Sequence, residues 1–203
     1  ACMKIGREAR SPLSIESMER RILINTQGEV TSIQPRAALE AHKLIEEMMV
    51  QANVCAAETL ESKKTPLIYR IHDTPSQEKV QSLTEFLGTL NLSWSKGEAP
   101  RTDRFNKLLA ETRESPHAAI INEVVLRTQM QAIYSSDNIG HFGLNLAKYA
   151  HFTSPIRRYA DLIVHRGLIR ALGLGHDGLT DRDIVQLKDT AEQITFAERR
   201  AMA

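Results

Sequence analysis

Between residues 37 and 61 the apolar positions Ala41, Leu44, Ile45, Met48, Ala52, Cys55, Ala56 and Thr59 recur at helical spacing, with no Gly or Pro among them. That period gathers them on one stripe and predicts a long amphipathic helix, with Cys55 among alanines as a small core residue. Before it, an irregular start gives way to the alternation Arg21-Ile22-Leu23-Ile24, the turn Thr26-Gln27-Gly28 and Val30-Thr31-Ser32-Ile33. This predicts a β-hairpin closed by Pro35. After it, residues 66–71 read as a short strand. Ser76 caps a helix over 77–90 that turns Val80, Leu83, Phe86 and Leu87 to a core. Residues 91–103, with Trp94, Gly97 and Pro100, read as an exposed loop, followed by helices over 105–111 and 118–133. An extended segment covers 141–152. Ser154-Pro155 then supplies an N-cap and a first-position proline for a helix to Leu172. Residues 173–178 form a loop, and Thr180 with Asp183 makes a capping box for a final helix from Asp181 to the end. The pattern is α+β, mostly helical, with a short hairpin and few strands.

Composition narrows this little. A chain of 203 residues, 42% hydrophobic and 25% charged, can bury a core without external staples. A net charge of +1 does not argue for a polyanion partner, so any such case rests on clustering. Cys2 and Cys55 form neither a metal-type spacing nor a disulfide framework, which suits a reducing cytoplasmic setting. No apolar run reaches the ~18 residues of a membrane helix, and Ala1-Cys2-Met3-Lys4 lacks a signal-like segment, so no membrane partner is expected. Gly173 to Gly178 matches the letters of a dinucleotide fingerprint but follows a helix instead of a strand, and reads as an interhelical loop. Asp177, Asp181 and Asp183 suggest a calcium loop, yet Lys188 stands where its bidentate Glu is required. His42 with Glu46 and Glu47 lacks the second histidine of a zinc helix. No metal site is expected within the chain.

The run Tyr149-Ala150-His151-Phe152-Thr153-Ser154-Pro155-Ile156-Arg157-Arg158-Tyr159 concentrates anion-binding devices. A helix start offers free amides and a positive dipole end, Thr153 and Ser154 add hydroxyls, and Arg157 and Arg158 add guanidinium groups suited to bidentate phosphate contact. Arg157, Asp161 and His165 follow at four-residue steps, so Asp161 is expected to hold Arg157 in one rotamer. The competing reading is a capped surface helix whose arginines only form ion pairs.

That run, with His141-Phe142-Gly143-Leu144 before it and Ala160-Asp161-Leu162 and His165-Arg166 after it, resembles the signature of the ribonuclease II and ribonuclease R family. The helix carrying Ala41-His42-Lys43-Leu44-Ile45-Glu46-Glu47 and Ala52-Asn53 is similar to a family helix, as are Tyr69-Arg70-Ile71-His72-Asp73 and Phe196-Ala197-Glu198-Arg199-Arg200, and the ribonuclease R branch fits better. The resemblance implies an RNB-type catalytic domain, of which residues 1–203 are a part, hydrolysing single-stranded RNA processively from the 3′ end to nucleoside 5′-monophosphates. It implies that Arg157 reaches the scissile phosphate, that Glu46 reads the terminal ribose 2′-hydroxyl and that Glu198 lies near the active centre. Glu46, Thr153, Ser154, Arg157, Arg158 and Tyr159 are the expected RNA-binding residues, Arg157 and Glu198 the expected catalytic ones, and Asp161 and His165 their support. The family's Mg2+-binding aspartates precede the aligned region and are not reproduced here, and the accessory RNA-binding domains are likewise missing. The chain alone is therefore expected to be inactive. A non-catalytic RNA-binding or scaffold protein that reuses the fold is the alternative, and no oligomeric state follows.

Overall fold

The computed structural model describes residues 2–15, 20–35, 39–94 and 99–202. Helix α1 (Cys2–Arg10) precedes a hairpin of β1 (Arg20–Ile24) and β2 (Val30–Pro35), then α2 (Glu40–Ser62) and β3 (Tyr69–Ile71). Next come α3 (Gln77–Thr89), α4 (Thr102–Glu111), α5 (Ala118–Thr128) and β4 (Ile133–Ser135). The chain ends with α6 (Tyr159–Leu172), α7 (Asp181–Val185) and α8 (Leu187–Met202). This is the α+β, mostly helical architecture expected from the pattern.

The hairpin pairs Ile22 with Ile33 and turns through Gly28 at φ 85, the left-handed region glycine tolerates best. Antiparallel β3–β4 pairs Tyr69 with Ser135 and Ile71 with Ile133 at the centre of the molecule. On one side Ala56, Ala57 and Leu60 of α2 pack with Tyr69, Ile71, Ala150 and Val164. On the other, Ile68 and Tyr134 meet Ala160, Ile163, Leu187 and Ala191 of α6 and α8. A separate core joins Leu83, Leu87, Phe105, Leu108, Ile121 and Val125 across α3, α4 and α5.

Several boundaries differ from the pattern for identifiable reasons. Helix α1 lay hidden because it buries no residue; Arg7 and Arg10 hold it to α2 instead. The expected start of α2 at Ala37 lies outside the described residues. Its expected apolar stripe is mostly exposed at Leu44, Ile45 and Met48, whereas the buried face carries Glu47, Val50, Asn53, Ala56, Ala57 and Leu60. Cys55 is exposed as well, so it is not a core residue. Helix α5 stops at Thr128, five residues early, because Lys79 Nζ caps its end at the Gln129 carbonyl (2.6 Å) and Ile133 and Tyr134 enter the sheet. Trp94 is not a free loop residue: its ring lies 5.0 Å from that of Phe105 at the edge of the third core. The last helix breaks at Gln186 into α7 and α8.

The loop after α6 is structural. Gly173 ends the helix in the left-handed region, and a Cβ on Gly178 would meet the Arg170 backbone at 3.0 Å. Asp181 and Asp183 are taken by Arg170 (2.6 Å) and Arg166 (2.8 Å). Asp183 also closes the capping box with Thr180. Among the described residues no helix is long and apolar enough to cross a membrane.

Candidate RNA-binding site

Residues 149–158 leave the central sheet and turn towards α2 before α6 begins. Ser154 to Arg158 form a turn, closed by Arg158 N–H donating to the Ser154 carbonyl (3.1 Å), and the helix starts at Tyr159 behind an extended Arg158. The expected helix start at Ser154 is thus displaced by Asp161. That carboxylate, fully buried, reaches back to accept from Ser154 N–H (2.7 Å) and from Arg158 Nε (2.7 Å) and Nη2 (2.8 Å). Asp161 therefore holds Arg158, and the Arg157 side chain is exposed with no hydrogen bond or ion pair to a described residue. The pairing expected between Asp161 and Arg157 is overturned because the turn points Arg157 outward.

The backbone N–H groups that lead into the turn are also committed inward. Phe152 N–H (2.8 Å) and Thr153 N–H (3.2 Å) donate to Asn53 Oδ1, and Ser154 N–H goes to Asp161. Thr153 Oγ1, by contrast, is shielded and meets no partner among the described residues. His165 supports the segment from α6, stacking 4.3 Å from the Phe152 ring while Nε2 donates to the Phe152 carbonyl (2.8 Å).

A cleft of about 430 Å³ opens between this segment and the first half of α2, lined among others by Glu46, Met49, Asn53, Tyr149, Thr153 and Arg158. Three of the expected binding residues, Glu46, Thr153 and Arg158, are thereby brought together although they lie a hundred residues apart in sequence. Glu46 remains 56% exposed, with Arg7 Nη1 at 3.4 Å. Its neighbour Glu47 is buried and anchors Arg7 (2.8 Å) and Arg10 (3.1 Å). Tyr159 is exposed at the start of α6 outside the lining, and Arg157 stands at the rim of the same turn.

Glu198 does not line the cleft. Arg70 holds it through two bonds of 2.7 and 3.0 Å, and the same guanidinium lies 4.5 Å over the Tyr134 ring. Tyr134 Oη sits 2.8 Å from His151 Nδ1, so Glu198 reaches the site only through this chain of contacts. The sequence reading missed Asn53, Arg70 and Tyr134 in these roles. A polar residue at a buried position of a helix was the available signal for Asn53.

Two histidines packed against the Tyr149 ring are held neutral. Burial, with the His72 ring beside it, pushes His141 down to about 3. Burial, with the charges of Arg158 and Arg70, does the same to His151, again to about 3. Unfolded histidine binds its proton near 6.5, so their contribution to stability is complete above that pH and is lost progressively as pH falls towards 3. At about 1.4 kcal/mol per pH unit, each should cost ~1–2 kcal/mol by pH 5. Urea unfolding at pH 7 and 5 checks this: His151→Gln should flatten the loss, and an identical pH slope in that variant would refute the assignment.

The RNB domain family matches residues 3–173. The chain belongs to this RNB-domain family. It is 41% identical to ribonuclease R of Vibrio cholerae over 82% of its own length and 20% of the relative's. It is 39% identical to ribonuclease R of Escherichia coli over 97% of its length and 25% of the relative's. This RNB chain thus spans a fifth to a quarter of those relatives. The apo form of Mycoplasma genitalium RNase R superposes with TM-score 0.88 at 30% identity, covering 98% of this chain and 32% of that one. The yeast pseudonuclease Ssd1 is also similar, with TM-score 0.64 at 26% identity over 76% of this chain and 19% of that one. Among the described residues of the RNB chain no group of three or more His, Cys, Asp and Glu side chains is placed to hold a metal ion.

Proposed function

We propose that the chain is the C-terminal part of the catalytic domain of a processive 3′→5′ exoribonuclease that hydrolyses single-stranded RNA to nucleoside 5′-monophosphates in the cytoplasm. The observation that carries this reading is the cleft that joins Glu46 to Thr153 and Arg158, beside an exposed Arg157, in a chain whose relatives are ribonucleases R. One of those related structures is M. genitalium RNase R in complex with ribose-methylated single-stranded RNA, which supports RNA as the partner. In this reading Glu46 accepts a hydrogen bond from the terminal ribose 2′-hydroxyl, Arg157 meets the scissile phosphate, and Met49 and Tyr149 shield the nucleoside from water. Glu198 acts at a distance, by fixing Arg70 over the Tyr134 ring. In this reading the Mg2+ required for hydrolysis is held by carboxylates outside the described residues, and the chain alone is expected to release no mononucleotides.

Glu46→Ala in the full-length enzyme should narrow the ratio of RNA to DNA degradation rates, because DNA lacks the hydroxyl that Glu46 reads. An unchanged ratio on matched oligonucleotides would make Glu46 an ordinary helix-surface acid. A second reading, a non-catalytic RNA-binding protein on the same fold, is favoured by the similarity to the pseudonuclease Ssd1. Full-length protein that binds single-stranded RNA but releases no mononucleotides with Mg2+ or Mn2+ would establish it.

A further inference from the structure

Three consecutive backbone amides, those of Phe152, Thr153 and Ser154, are all claimed by buried side chains from two different helices. The first two go to one atom, Oδ1 of Asn53, while Nδ2 of the same carboxamide donates to Tyr149 Oη at 2.9 Å. Asn53 lies on α2 two turns beyond Glu46 and is only 3% exposed. One side chain thus ties the helix bearing the ribose-reading acid to both ends of the segment that leads into the Arg157 turn. From Tyr149 to Ser154 this segment belongs to no helix or strand, and it is tied to the central sheet at its start, where Arg70 N–H donates to the Tyr149 carbonyl (2.9 Å), so beyond that point side chains set its position.

We infer that Asn53 is a positioning residue: it fixes the spacing between Glu46 and the Arg157-bearing turn, so that the ribose and the phosphate of one nucleotide are gripped in register. The inference rests on the roles proposed above for Glu46 and Arg157. Both amide atoms of Asn53 are spent on protein partners, so its effect on substrate passes through the groups it holds. A leucine or valine, which would suit a buried helix face better by hydrophobicity, would leave two amides without acceptors. The cost of misplacement at such a site is kinetic as well as structural, since a shift of about 1 Å between reacting groups can cost ~10²-fold in rate.

The test uses the full-length enzyme with Asn53→Ala, Asn53→Ser and Asn53→Asp. Single-turnover rates on single-stranded RNA and the RNA-to-DNA rate ratio are measured beside melting temperature. Alanine and serine reach neither amide and should lower the single-turnover rate by ~10- to 100-fold and narrow the ratio. Aspartate keeps both acceptor contacts, with the Tyr149 hydroxyl donating to it, and should restore both readouts to within a few-fold of wild type. If the alanine variant fails to fold, the serine variant decides. Folded variants with a lowered melting temperature but wild-type rate and ratio overturn the inference, as does an aspartate variant no better than alanine. Glu46→Ala and Arg157→Ala run in parallel separate the two levels. If they too leave rate and ratio unchanged, the site reading has failed; if they change them while the Asn53 variants do not, only the coupling has.

Discussion

Arg157→Ala in the full-length enzyme should lower single-turnover cleavage of single-stranded RNA by roughly 10²–10³ while leaving the dissociation constant within a few-fold of wild type. Long single strands are held by many phosphate and stacking contacts along a channel, so one arginine contributes a small share of ground-state affinity. At the scissile phosphate, charge grows towards the transition state, so a guanidinium that contacts it gains more there than in the ground state. The geometry suits that role in a way the sequence alone did not suggest. Arg157 is not locked by Asp161; it is presented outward by a turn whose backbone closes between Ser154 and Arg158, and no described acidic side chain competes for it. Rapid-quench cleavage and equilibrium binding at one salt concentration measure the two quantities. A variant that binds poorly yet cleaves normally when saturated would make Arg157 a general RNA grip.

Which parts of this site could be read from the sequence follows from the range of the interactions involved. The Ser76 cap, the Thr180–Asp183 box and the hairpin turn at Gly28 are set by residues a few positions apart, and the structure contains them as expected. The start of α6 looked equally local, with Ser154-Pro155 in the customary places, but it was decided by Asp161 reaching back seven residues to the Ser154 amide. The face of α2 was decided from further away still. Its apolar stripe through Leu44, Ile45 and Met48 argued for burial, yet what is buried is the face carrying Glu47 and Asn53, because Arg7 and Arg10 come from α1 and the 149–154 segment comes from the far end of the chain. Polar residues on a buried face pay for themselves only through partners that hydropathy does not reveal. The family resemblance singled out Glu46 and Arg157 as candidates, but the arginine that the buried carboxylate holds could be told only from the fold.

Arg158→Ala should therefore act on stability where Arg157→Ala acts on rate. Asp161 is fully buried, and Arg158, four-fifths buried itself, supplies two of its three hydrogen bonds. Removing the arginine leaves a buried carboxylate with only the Ser154 amide, and breaking such a pair typically costs about 3–5 kcal/mol. For a protein of this size each kcal/mol corresponds to roughly 2–4 °C, so the melting temperature should fall by ~6–20 °C. Asp161→Leu should be destabilising too, because it strands the Arg158 guanidinium and the Ser154 N–H together. The double replacement Arg158→Ala with Asp161→Leu removes both charges, and should be less destabilised than the sum of the two single changes. Thermal denaturation of all four proteins closes this cycle. Strict additivity would mean that the pair contributes nothing as a pair, and the turn presenting Arg157 would then have to be held by Asn53 and His165 alone.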